Sequence, residues 1–181
     1  GLWAKRVFFQ DSANIPMIVS LPPSMGRGEA GVRDDRLVGW ADVYPTLADL
    51  CGLPIPEHCE GRSMFGPDYR DYLYGECGEL DAGRPNRMIR FGDYKLIYFP
   101  HGNRRLLFHL AKDPNELRDL SGEPNHREVL ESMTAMLVRE LEPLDGDCLT
   151  NGNLTGLPER EGERNPVYKR SLSGQRGMRW V

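Results

Sequence analysis

Residues 15–21 read IPMIVSL, a short and almost wholly apolar run with prolines at 16 and 22. It lacks the polar–apolar alternation of a strand with one wet face. It therefore reads as a strand covered on both sides, as in a parallel α/β sheet. Such a strand needs neighbours on either edge, and no nearby segment has the composition to supply them. The expectation is that residues 1–52 complete a larger sheet. The chain opens in a loop-like GLWAK with no initiator Met, so it reads as the back part of something longer.

The loop that follows, PPSMGRGEAGVRDDR, contains a literal GxGxxG at Gly26, Gly28 and Gly31. A dinucleotide fingerprint needs those glycines directly after a strand and opening an apolar helix. Two prolines and a charged VRDDR stand there instead, so the match is rejected. Residues 37–52, LVGWADVYPTLADLCG, predict a short strand running into a helix. Asp42 is placed as its cap, Pro45 in its first turn, and Leu47, Leu50 and Cys51 on one face. Gly52 supplies a left-handed stop, and Pro54 and Pro56 prevent resumption.

Beyond the loop 53–71 the period changes. DYLYGEC (71–77) alternates, RMIRF (87–91) and YKLIYF (94–99) flank Gly92-Asp93, and RLLFHL (105–110) follows. A Gly-first two-residue connection suits a type II′ hairpin. Residues 123–142 carry Val129, Leu130, Met133, Met136, Leu137 and Leu141 at helical spacing, the stripe of a helix laid on a sheet. The expected organisation is an α/β core end at 1–67, an antiparallel subdomain with one helix at 68–142, and an extended tail at 143–181.

Hydrophobic residues make up 39% and charged residues 28% of the 181, with 20 Gly and 14 Pro. An average globular chain has about 45–50% apolar residues, so the core is thin and the turns are many. Net charge is −4 with scattered Lys and Arg. Nucleic-acid binders concentrate basic residues on one face, so none is expected as a partner. No run approaches the roughly 20 apolar residues of a membrane span. The four cysteines, Cys51, Cys59, Cys77 and Cys148, form no CxxC, which disfavours zinc and redox roles. The histidines lack HxxxH spacing, and the acidic pairs Asp34-Asp35 and Asp145/Asp147 read as solvated.

Motif order is more specific than any one motif. GLWAK, FFQDSANIPMIVSLP, DVYPTLADLCGLPIPEHCEGRSM, RFGDYKLIYFP and LLFHLAKDPNELRDL occur in succession over residues 1–142. Together they resemble the C-terminal third of a sulfatase of the alkaline-phosphatase superfamily, arylsulfatase-like. The family pattern has a GxxGK-type loop, a P-[LM]-I-V strand, a D-[IV]-x-P-T-L-x-x-L-x-G helix, a G-R-S-[LM] turn, a YKLI strand and an L-[YF]-x-L-x-x-D-P-x-E segment.

The resemblance implies a sulfuric ester hydrolase that uses a formylglycine and a divalent metal, usually calcium. It gives Lys5 a catalytic and substrate-binding role, holding a sulfate oxygen. By the same analogy the basic turn FPHGNRR (99–105) is a substrate contact, through His101 and Arg104. The expected substrate is a small-molecule or saccharide sulfate ester, and the tail is expected to mediate a homo-oligomer. None of the four cysteines begins a C-x-P-x-R, Ala4 stands where the family favours glycine, and Asn14 where it favours arginine. No metal ligand or cofactor is expected within this chain. A phosphonate or phosphodiester monoester hydrolase of the same superfamily, and a non-catalytic interaction module, are the alternative readings.

Overall fold

The structure is a computed structural model that describes residues 7–78, 80 and 85–159. Lys5 lies outside them. Compactness divides the chain at 15/16 and 73/74, giving one unit of residues 16–73 and another of residues 1–15 with 74–181. The expected boundaries at 67/68 and 142/143 follow motif order rather than packing.

The second unit contains a four-stranded sheet in the order β1 (Tyr72–Cys77), β2 (Asn86–Phe91), β3 (Tyr94–Phe99), β4 (Arg104–His109). Strands β2 and β3, and β3 and β4, pair antiparallel. Phe91 opposes Tyr94 across a two-residue connection in which Gly92 takes φ +51°, the sign that a Gly-first hairpin requires. The predicted meander is therefore present.

Helix α3 (Arg127–Leu144) packs on β2 and β3, with Met133, Leu137 and Leu141 fully buried. It runs two residues past its expected end because Pro143 falls in the last turn. There the ring interferes with one hydrogen bond and no continuing helix. Directly opposed residues share a sheet face, so Ile89, Leu96 and Leu107 line up under α3. The other face presents Met88, Ile97, Leu106 and Phe108 in the same register.

That second face is also covered. Phe8 and Phe9 pack against Ile97, Phe99, Phe108 and Leu110, with the Phe9 and Phe108 rings 5.8 Å apart. Gly75 lets the Phe8 ring approach β1, since a Cβ there would sit 2.9 Å from it. Strand β3 is thus buried on both sides, which explains why YKLIYF carries five apolar residues without alternation. Asp145 corrects an expectation: it is not a solvated acid but the partner of Arg87, Nε to Oδ2 2.6 Å.

In the unit 16–73 a single turn of 3₁₀ helix, Trp40–Asp42, leads into α2 (Val43–Leu50). The short strand expected before it is absent. Pro45, Thr46 and Ala48 are the buried face of α2, whereas Leu47 is 57% exposed, so the apolar stripe placed on Leu47, Leu50 and Cys51 is not its inner face. Residues 16–21 join no ladder, and Ile18 is 90% exposed. The covered strand expected at 15–21 is unpaired within the described residues, since no described segment offers it an edge. No described helix is long and apolar enough to cross a membrane.

Candidate functional site

Downstream of Lys5 the chain is held from beneath. Helix α1 (Gln10–Ala13) starts after Phe9, and under it lies an ion pair, Lys95 Nζ to Glu116 Oε1 at 2.7 Å. Both side chains are 1% exposed. The Lys95 ammonium also donates to the Phe8 carbonyl at 2.8 Å and to Gln10 Oε1 at 2.6 Å. The second Glu116 oxygen accepts the Gln10 N–H at 2.5 Å. Burial pulls the Lys95 pKa below its ordinary value, and the Glu116 carboxylate opposes that shift.

Glu116 itself takes φ +53°, a left-handed conformation that costs a non-glycine residue energy. It closes the DPNE turn, where its N–H donates to Asp113 O. The motifs YKLI and DPNE thus meet through their two charges. Sequence reading placed both motifs without linking them. The available signal was a lysine inside an otherwise apolar strand, since a buried ammonium demands a carboxylate partner.

The turn after β3 carries the other expected site residues. His101 Nδ1 lies 2.9 Å from Pro158 O and Nε2 3.0 Å from Leu80 O. Both ring nitrogens face acceptors inside the chain, and a neutral imidazole donates to only one of them. The Arg104 guanidinium stands over the Phe99 ring, 5.1 Å from its centroid. The turn is clasped by the C-terminal segment: Leu157 N–H donates to Pro100 O and Gly102 N–H donates to Leu157 O. Asn103 Nδ2 adds a bond to Leu154 O. A two-strand ribbon, β5 (Leu149–Thr150) and β6 (Asn153–Leu154), shapes that segment. Residues 149–159 of the expected tail therefore fold back on their own unit, and residues 160–181 lie outside the described residues.

A cavity of about 80 Å³ in the unit 16–73 is lined by Arg36, Arg62 and Arg70. It is an interlock of charges rather than an open anion site. Arg70 pairs with the buried Asp42, whose carboxylate also accepts the Gly39 and Arg62 N–H groups at 2.7 and 2.8 Å. Arg62 donates to Tyr69 O at 2.8 Å. Arg36 pairs with Asp34 and holds that carboxyl below its ordinary value. Thr46 relays the lock: its hydroxyl donates to Asp42 O and accepts the Met64 N–H. The DVYPTL helix and the GRSM turn are joined by these bonds: Asp42 stands at the N-cap position of α2 as expected, but its carboxylate serves as a hub and does not cap that helix.

Among the described residues no group of three or more His, Cys, Asp or Glu could hold a metal. All four cysteines are free.

Comparison with known proteins follows the same motif span. The N-sulphoglucosamine sulphohydrolase C-terminal family matches residues 1–142. An arylsulfatase of Clostridium perfringens is 29% identical over 162 residues, 85% of this chain and 33% of that protein. A Delta 4,5-hexuronate-2-O-sulfatase of Bacteroides thetaiotaomicron is 27% identical over 175 residues, 86% of this chain and 36% of that protein. The chain spans about a third of the length of these curated relatives. A solved 2-O GAG sulfatase superposes with TM-score 0.54 at 27% identity, over 60% of this chain and 26% of that one. A phosphonate monoester hydrolase of Agrobacterium radiobacter superposes with TM-score 0.53 at 23% identity, over 71% of this chain and 30% of that one.

Proposed function

The chain belongs to the N-sulphoglucosamine sulphohydrolase C-terminal family, and we propose that it serves the hydrolysis of a sulfate ester, with a sulfated saccharide as the substrate class. The observation that carries the reading is the family match across residues 1–142, which takes in every motif from GLWAK to DPNELRDL. The saccharide assignment is supported by the relatives whose names specify hexuronate and GAG sulfates.

Lys5 is the catalytic contribution. In sulfate-ester cleavage negative charge grows on the departing oxygen and is redistributed over the sulfate oxygens. A fixed ammonium against one of those oxygens stabilises the transition state more than the ground state. Arg104, beside the clasped turn, is assigned to contact with the sulfated substrate. The reading also calls for a formylglycine and a divalent metal, calcium, and the described residues do not fit either group. No cysteine begins C-x-P-x-R, and the described residues contain no metal-binding group. The part assigned to this chain is to bind and orient the sulfate.

The test compares a sulfate monoester with a phosphonate monoester on the active hydrolase containing this chain. Sulfate preference, with a loss of about 10²–10³-fold in kcat for Lys5→Ala, a size typical of removing one oxyanion donor, is the expected result. Preference for the phosphonate ester would move the chain to the other chemistry of the superfamily. Arg104→Ala is expected to raise KM with kcat held. The 181-residue chain alone is expected to show no turnover of an aryl sulfate.

A further inference from the structure

We propose that His101 is a proton-dependent catch: it closes the C-terminal strap, residues 149–159, on the β3–β4 turn when its ring is doubly protonated and eases it when the ring is neutral. One side chain joins three segments. Nδ1 lies 2.9 Å from Pro158 O in the strap, and Nε2 lies 3.0 Å from Leu80 O in the segment after β1. Both neighbours are backbone carbonyls, which accept hydrogen bonds and never donate them. An imidazolium donates to both. A neutral ring carries a single N–H, so its other nitrogen turns a lone pair on a carbonyl oxygen and that contact becomes repulsive.

The rest of the clasp does not titrate. The Leu157 and Gly102 N–H groups donate to Pro100 O and Leu157 O, and the Asn103 amide donates to Leu154 O. The His101 backbone pairs with Leu157 as an isolated parallel bridge. These bonds hold the strap in register in both protonation states, so loss of the ring proton loosens it without releasing it. The charged side chains of the segments that meet there are Glu76, Arg87, Arg104, Arg105 and Glu159. Glu76 is engaged by Tyr74, Arg87 by Asp145 and Arg105 by Thr134. Arg104, over the Phe99 ring, opposes a second positive charge, whereas the Glu159 side chain, 3.2 Å from a Cβ built on Gly102, favours one. Carboxylates and guanidiniums keep their charge between about pH 5 and 8, the range in which an imidazole changes its own. The sign follows: the second hydrogen bond is present on the acid side and lost as pH rises, so the strap is tightest in acid.

The test follows hydrogen exchange across residues 100–103 and 155–158 in the hydrolase containing this chain, from about pH 5 to about pH 8, corrected for the intrinsic exchange rate. One added hydrogen bond to a charged donor predicts protection about tenfold greater at the acid end, with β2 and β3 level throughout. His101→Gln takes up no proton in this range, and its protection is expected to change by less than about twofold. A second reading needs no variant, so it stands even where His101→Gln loses the clasp. With ¹⁵N-labelled histidine, the His101 ring of the parent protein should carry two slowly exchanging N–H protons at the acid end. Parent protection that is flat with pH, or that rises with it, overturns the catch. So does an acid gain of the same size in His101→Gln, which would assign the titration to another group, or a His101 ring with a single N–H at the acid end. Each of these outcomes leaves the sulfate-ester reading untouched, because the catch is argued from the ring and its two carbonyls alone.

Discussion

Arg87 and Asp145 form an ion pair that ties the start of β2 to the residue ending α3, Nε to Oδ2 2.6 Å with side chains 3% and 11% exposed. Arg87 Nη1 also donates to Gly78 O at 3.0 Å, so one guanidinium serves the strand, the helix end and the turn after β1. Asp145→Ala leaves that charge buried without its partner. The expected cost is about 3–5 kcal/mol of stability, and Arg87→Met with Asp145→Leu should recover most of it. Urea unfolding of the three proteins, at equal m-value, measures the difference.

Two glycines of the unit 16–73 separate conformation from space. Gly52 has φ +67° with open surroundings, whereas a Cβ on Gly61 would lie 1.9 Å from the Ala41 carbonyl oxygen. Gly52→Ala is expected to cost about 1 kcal/mol, the price of a left-handed alanine. Gly61→Ala forces the GRSM turn off the turn before α2, where overpacking costs about 3 kcal/mol or more. Limited proteolysis within 53–71 should accelerate for Gly61→Ala and stay near the parent rate for Gly52→Ala.

Much of the sheet unit was legible in the sequence because its signals are local. Gly92-Asp93 between two apolar runs specifies the hairpin, and the Met133, Leu137 and Leu141 spacing specifies the helix face. The same local reading misplaced Asp145, because nothing near it announces Arg87, 58 residues away. It also missed the cover of the sheet's second face by Phe8 and Phe9, whose partners Ile97 and Phe108 lie far along the chain. At 15–21 the composition of IPMIVSL called for an enclosed strand, and enclosure depends on neighbours that the described residues do not contain. Lys5, taken from its motif, lies outside the described residues, while the Lys95–Glu116 pair required three dimensions.

Asp49 provides a pH-dependent contact. The Ser63 hydroxyl donates to its Oδ2 at 2.6 Å, and Arg27 lies 2.9 Å from Oδ1. The hydroxyl first and the guanidinium second hold the carboxyl below its ordinary 3.8. A carboxyl depressed in the folded state contributes fully above its unfolded pKa and loses that contribution as pH falls through the folded value. The link between α2 and the GRSM turn therefore weakens progressively as pH falls through the ordinary 3.8 toward the lower folded value. A carboxyl titration followed by NMR should show Asp49 below that value, moving upward in Ser63→Ala. An Asp49 midpoint at or above the ordinary value in the parent protein would contradict the assignment.

The clasp on the β3–β4 turn makes the sharpest local prediction. A Cβ on Gly156, which has φ +69°, would lie 2.7 Å from both Asn103 Cβ and Pro100 O. Gly156→Ala therefore pushes the segment off at a cost of about 1–3 kcal/mol. The amides of Leu157 and Gly102, bonded across the clasp, should exchange faster while β2 and β3 keep their protection. His101→Ala removes the two carbonyl contacts from the other side and should accelerate the same amides. Because the ring lies between Pro158 O and Leu80 O, with Nδ1 and Nε2 2.9 and 3.0 Å from them, KM for a sulfate ester is expected to hold within about twofold. A large rise in KM with unchanged Leu157 exchange would instead place the imidazole on the substrate.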